Sequence, residues 1–175
     1  VNYVLEGNIN YTGAVISWLK DDLRLLNTPS EAQELAEAAG QEDTTYLVPA
    51  FSGLGAPYWN SGVKAAIWGM TRTTRRAEIV KAGLESIAYQ ITDVLLAMQE
   101  QSGIPIGELR VDGGPTKNRY LMQFQSDIAG IPVRVPEVEE LSGIGAAYAA
   151  GLAAGIYEKE VLFSNMGYSD FVPVM

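Results

Sequence analysis

The segment richest in possible chemistry is Leu109-Arg110-Val111-Asp112-Gly113-Gly114-Pro115-Thr116-Lys117-Asn118. A hydrophobic run ends in two glycines, and the pattern predicts that a helix follows. Residues without Cβ let a ligand approach the main chain and permit dihedrals closed to other side chains. A helix start adds free N–H groups and the positive end of a dipole, which suit an anion. Such a corner could cradle the phosphate of a nucleotide. Asn118, one short turn later, carries both a donor and an acceptor. On its own the segment fits a tight turn and a helix cap at least as well, because Asp, Gly and Asn favour turns for local reasons. It is not a P-loop, since no Gly-x-x-x-x-Gly-Lys-Ser/Thr occurs anywhere.

Three other glycine-bearing segments invite the same question. Gly13 falls in the first turn of an expected helix, where a bulky side chain would block a ligand; it also reads as an ordinary junction glycine. Gly143-Ile144-Gly145-Ala146-Ala147-Tyr148 starts like a dinucleotide motif but has Tyr148 at the third glycine and does not open from a strand. Close helix packing through Gly145, Ala146, Ala149, Ala150 and Gly151 is the better reading there. Phe51 to Trp59 is a loop of Gly, Pro and aromatics. Loops of this kind can line clefts, or be pinned by their own Tyr58 and Trp59.

Composition narrows the chemistry further. The 175 residues contain no cysteine and no histidine. Disulfides, thiolate ligands, imidazole bases and Ser-His-Asp triads are therefore excluded within this chain. The formal charge of −9 disfavours nucleic acid as a partner. Arg72, Arg75 and Arg76 form the densest basic group and read as the solvated start of a helix. No apolar run approaches the ~20 residues needed to cross a bilayer. With no secretory leader recognised, the expected compartment is the cytoplasm.

These residues need elements to hold them. Hydrophobic spacing predicts a strand at 1–7, then a helix at 12–26 with Val15, Trp18, Leu19, Leu23 and Leu26 on one face. Thr28-Pro29-Ser30-Glu31 opens a second helix by a capping box, and Gly40 is expected to end it in a left-handed conformation. Strands are predicted at 46–49 and 63–70. The longest helix is predicted at 73–101, with a core stripe of Val80, Leu84, Ile87, Ile91, Val94 or Leu95, and Met98. A strand at 108–112, a helix at 118–129 stopped by Gly130, a strand at 131–135 and a helix at 142–154 stopped by Gly155 complete the pattern. Alternating strands and helices favour an α/β domain, a central sheet flanked by helices.

Several of these segments together resemble a known family. Phe51-Ser52-Gly53-Leu54-Gly55-Ala56-Pro57-Tyr58-Trp59 resembles the Ser-Gly-Leu-x-Ala-Pro-Tyr-Trp loop of glycerol kinases, members of the FGGY carbohydrate kinases. Residues 65–85, with Gly69-Met70, Glu78-Ile79, Ala82 and Leu84-Glu85, are similar to a signature of that family. Gly83 departs from it, standing where Ser, Thr, Ala or a branched apolar residue is usual. Val4-Leu5-Glu6-Gly7, Gly13-Ala14, Arg110-Val111-Asp112-Gly113-Gly114 with Asn118, Leu121-Met122-Gln123-Phe124-Gln125 and Gly145-Ala146-Ala147-Tyr148-Ala149-Ala150-Gly151-Leu152 follow in the family's order. The resemblance covers nearly the whole chain.

The resemblance implies the C-terminal lobe of an actin-like ATPase (ribonuclease H-like) fold, with ATP bound between two lobes. By similarity, Gly114 and Asn118 match nucleotide-binding positions, Gly113 adjoins them, and Gly13 matches another nucleotide-contacting glycine. Glycerol kinases carry a Gln where this chain has Ser17, a shorter donor. The family's catalytic aspartate, polyol pocket and Gly-Thr-Gly phosphate segment belong to sequence upstream of Val1. No catalytic residue is assigned here, and nothing supports Asp112 as a base. Residues 1–175 are thus expected to be an FGGY C-terminal nucleotide-binding domain, incomplete at its N-terminal end and lacking the substrate domain. The full-length enzyme is expected to use ATP and Mg²⁺ to convert glycerol to glycerol 3-phosphate, the polyol being held mainly by the other domain. A kinase for another sugar or polyol such as xylulose, or a non-catalytic nucleotide-binding module, are the alternatives. The isolated fragment is expected to be inactive. Apolar surface left uncovered by the other lobe makes a homo-oligomer an expectation, with no nucleic acid or membrane partner.

Overall fold

The computed structural model describes residues 4–138, 141–158, 162 and 166–174. Helix α1 runs over Gly13–Ser17 and continues as a π-helical turn, Trp18–Asp22. The wider turn rotates later residues off the expected stripe. Val15, Leu19 and Leu26 are buried, while Leu23 is 40% exposed. The chain leaves the helix there, and Arg24 takes a positive φ of 55°. Helix α2 spans Glu31–Ala38. Glu31 reaches back as a capping acceptor, but to the Asn27 N–H at 2.8 Å rather than to Thr28. Its carboxyl is held below the usual range chiefly by that bond.

Two of the expectations for this first part fail. Val4 to Gly7 form no strand, and the first three residues lie outside those described. A strand needs a neighbour for its N–H and C=O groups, and among the described residues none pairs with this stretch. Gly40 does not end α2 in a left-handed conformation. Ala39 turns extended instead, and the Gly40 N–H donates to Glu78 Oε1 at 3.1 Å. By contrast, Gly130 (φ 67°) and Gly155 (φ 71°) do take positive φ.

Strands β1 (Tyr46–Val48) and β2 (Ala66–Trp68) pair antiparallel, with Tyr46 opposite Trp68. The loop between them folds back on itself through Leu54 and Asn60, whose N–H groups reach each other's carbonyls at 2.9 and 3.0 Å. The Tyr58 hydroxyl pins this loop to α3 by donating to Asp93 Oδ2 at 2.8 Å. Trp59 is 79% exposed, and its main-chain N–H donates within the loop to the Gly55 carbonyl at 2.8 Å.

Helix α3, Arg76–Ser102, is the spine. At 1.5 Å per residue it is about 40 Å long. Glu78 caps its start by accepting the Arg75 N–H at 2.8 Å. Val80, Leu84, Ile87 and Val94 are buried on the predicted stripe. Gly83 is buried beneath Leu19, where a Cβ would lie 2.6 Å from Leu19 Cδ1. The departure from the family signature therefore makes room for α1.

Strand β3 (Leu109–Arg110) lies parallel to β4 (Val133–Pro136), and β5 (Tyr168–Phe171) adds antiparallel to β4. Helix α4, Arg119–Ala129, covers this sheet and packs on α3 through Leu121 and Met122. Polar contacts fix it to α3 as well. The Tyr120 hydroxyl donates to the buried Glu85 at 2.6 Å, and Gln125 Nε2 donates to Thr92 Oγ1 at 3.1 Å. Burial pushes the Glu85 carboxyl up and the Tyr120 phenol up. Helix α5, Leu141–Ala153, completes the described elements.

Candidate functional site

A cavity of about 670 Å³ opens where three stretches far apart in sequence converge. Gly13, Ile16 and Ser17 come from α1. Pro29, Ser30, Gln33 and Glu34 come from the start of α2. Gly114, Pro115, Lys117 and Asn118 come from the connection between β3 and α4. Three of the four sequence-predicted residues, Gly13, Gly114 and Asn118, therefore line one space. The fourth, Gly113, lies beside them on an adjoining cavity of about 460 Å³, whose wall also includes Gly114, Lys117, Asp112, Thr116 and Ser142.

The local backbone explains why glycines stand here. Gly113 has φ 99° and ψ 173°, a region that a Cβ closes. It turns the chain out of β3 into a 3₁₀ turn, Gly114–Lys117. The Gly113 carbonyl accepts the Thr116 N–H at 3.0 Å and its hydroxyl at 2.7 Å. Among the described residues the Gly114 N–H has no protein partner. A Cβ at Gly114 would meet nothing within 4 Å, and one at Gly13 would meet only Pro115 Cγ at 4.0 Å. Internal packing does not ask for glycine at either position. Its effect is to keep the cavity wall bare.

The helix predicted at 118–129 is found at Arg119–Ala129, after the 3₁₀ turn. Its first amides are partly taken. Gln33 Oε1 accepts the Arg119 N–H at 2.9 Å, and Asn118 Oδ1 accepts the Leu121 N–H at 3.0 Å. The turn adds a free donor of its own at this corner, the Gly114 N–H. Asn118 is both a cap and a cavity residue, and its Nδ2 has no partner among the described residues. The Arg119 guanidinium lies over the Phe171 ring at 5.2 Å, on the sheet side. Lys117 lines both cavities.

One sequence expectation is corrected. The small residues of α5 do not pack. Gly145, Ala146, Ala149 and Ala150 are exposed, and of that set Gly151 alone is buried, against Tyr157. No element among the described residues covers that face. The Phe51–Trp59 loop lines clefts as it could be expected to, but not the main cavity: Gly53, Leu54, Gly55, Ala56 and Tyr58 border one small cleft and Phe51 another, where it packs on Tyr11 and Trp18 at ring distances of 5.0 and 4.8 Å. Sequence reasoning missed the α2 wall. Pro29, Ser30 and Glu31 signalled a helix start, but nothing in their spacing indicates that the helix faces a turn some 85 residues on.

The family described as "FGGY family of carbohydrate kinases, C-terminal domain" matches residues 1–154. The chain belongs to the FGGY family of carbohydrate kinases. A glycerol kinase of Xanthomonas euvesicatoria pv. vesicatoria (strain 85-10) is 53% identical over 157 residues, covering 90% of this chain and 32% of that protein. A glycerol kinase of Bacillus cytotoxicus is 50% identical over 160 residues, 91% of this chain and 32% of that protein. Among solved structures, Plasmodium falciparum glycerol kinase with ADP superposes with a TM-score of 0.83 at 38% identity, over 93% of this chain and 33% of that one. A xylulose kinase from Lactobacillus acidophilus, 19% identical, superposes with a TM-score of 0.75 over 93% of this chain and 34% of that one, and shares the fold. The FGGY chain thus has the actin-like ATPase fold and spans about a third of the length of these relatives.

Proposed function

We propose that this chain forms the nucleotide-binding wall of an ATP-dependent FGGY kinase that phosphorylates glycerol to glycerol 3-phosphate. The observation carrying this reading is the convergence of Gly13, Gly114 and Asn118 on one cavity. Adenosine fits that cavity, against Ile16, Pro29 and Pro115, with Asn118 Nδ2 as donor. The phosphates lie toward the Gly114 N–H. Gly113 serves this by setting the turn. Ser17 lines the same cavity where glycerol kinases carry the longer Gln, which leaves space rather than a contact.

The donor set fits a nucleotide better than a metal. Among the described residues no three metal-ligating side chains gather in one place. In this reading Mg²⁺ arrives with the nucleotide phosphates, and this lobe supplies no protein cage for it. Phosphoryl transfer depends chiefly on positioning and charge neutralisation, and this chain's share is to bind and orient the donor. The residues that act on the polyol belong to the rest of the enzyme, so residues 1–175 form one nucleotide-binding domain that is inactive alone. The two similar proteins named above, 53% and 50% identical and both glycerol kinases, support glycerol as the acceptor. No helix among the described residues is long and apolar enough to cross a membrane; the compartment proposed for the full-length enzyme is the cytoplasm.

The test is turnover by the full-length protein with ATP and a panel of polyols. Glycerol 3-phosphate should form fastest. Faster transfer to xylulose would move the substrate assignment within the family. Nucleotide binding with no transfer to any member of the panel would replace the enzyme with a non-catalytic nucleotide-binding module.

A further inference from the structure

Helix α2 supplies one wall of the cavity, and the side chain of Gln33 ties it by a hydrogen bond to the opposite wall. Gln33 Oε1 accepts the N–H of Arg119, 86 residues away, at 2.9 Å. Gln33 Nε2 donates to Glu37 Oε1 one turn along α2, also at 2.9 Å. The Arg119 N–H is the first amide of α4, which the helix itself cannot satisfy. Asn118 is its neighbour and caps the same helix. Both Gln33 and Asn118 line the cavity.

We propose that Gln33 is a positioning residue for the nucleotide corner. It holds the first amide of α4 against α2, and so fixes the span between the α2 wall and Asn118. Both polar ends of its amide are engaged by protein, so it acts through Asn118 and not on the ligand. Glu37 orients the amide so that the carbonyl faces Arg119. Without that tie α2 and α4 still share the apolar core, but no hydrogen bond among those described fixes the span at the cavity rim, and a ligand spanning both walls would meet a less preorganised site. The proposal rests on the nucleotide reading above. A second tie of α2, the Arg76–Glu31 ion pair, runs to α3 instead of α4 and provides a control.

The experiment is ADP titration by calorimetry on the full-length protein, with a thermal melt of every variant. Gln33→Leu should raise the Kd about five-fold, the loss expected for one net hydrogen bond. The double variant Q33E/E37Q keeps an acceptor toward Arg119 and a donor one turn on, so its Kd should return to within about two-fold of wild type. Arg76→Leu should lower the melting temperature and leave the Kd in place. Should Q33L fail to fold, Gln33→Met, which keeps the length of the side chain but lacks the acceptor toward Arg119, should show the same raised Kd. An unchanged Kd in Q33L, no rescue in the double variant, or an equal rise in R76L would overturn the proposal. Gly114→Val separates the two levels. If G114V raises the Kd and Q33L does not, the positioning role alone falls; if neither does, the nucleotide reading falls with it.

Discussion

The glycines of the β1–β2 and α3 layer differ from those around the main cavity. Gly69 has φ 79°, and a Cβ there would collide with the Thr44 carbonyl. Gly83 is pressed against the fully buried Leu19. Both are glycine because the protein's own atoms fill the space beside them. At Gly13 and Gly114 that space is open and concave. Gly143 and Gly145 are open too, but they sit on the exposed face of α5 and line no cavity named above. A glycine in a sequence announces a missing Cβ. Only the fold tells whether protein, ligand or solvent takes its place.

Substitutions can break or sharpen that distinction. Gly69→Val should have the largest effect on stability, about 3 kcal/mol or more, because it adds left-handed strain to a clash with main chain. Gly83→Val should cost about 2 kcal/mol by overpacking Leu19. Gly145→Ala should gain up to about 1 kcal/mol, since an exposed helical glycine is replaced by the best helix former. Gly114→Val should change stability least, within about 0.5 kcal/mol, while raising the Kd for ADP at least about ten-fold by filling the wall that the ligand approaches. Denaturant titration measures the four stability changes. A loss at Gly114 as large as that at Gly83 would erase the difference between the two regions.

The sequence carried much of this fold and part of the site. The stripe Val80, Leu84, Ile87, Val94 is a local period, and α3 follows it. The double glycine marked the corner because a positive φ at Gly113 is a local requirement. The π-helical turn at Trp18–Asp22 was not legible, since one extra residue per turn leaves no compositional mark and shows only in the exposure of Leu23. Gly40 misled because its role is to donate to Glu78, a contact 38 residues away. The α2 wall was hidden for the same reason: Gln33 reads as one more polar residue on a helix surface until Arg119 is brought against it. Small residues on α5 announced a close neighbour, and no described element fills that place.

The position of bound ADP in a crystal structure of the full-length protein tests the central claim most directly. The account predicts the ligand packed on the Gly114 main chain, its phosphates near that N–H and its nucleoside between Asn118 and α1. ADP seated elsewhere, with the space between Gly13, Gly114 and Asn118 left to solvent, would contradict it.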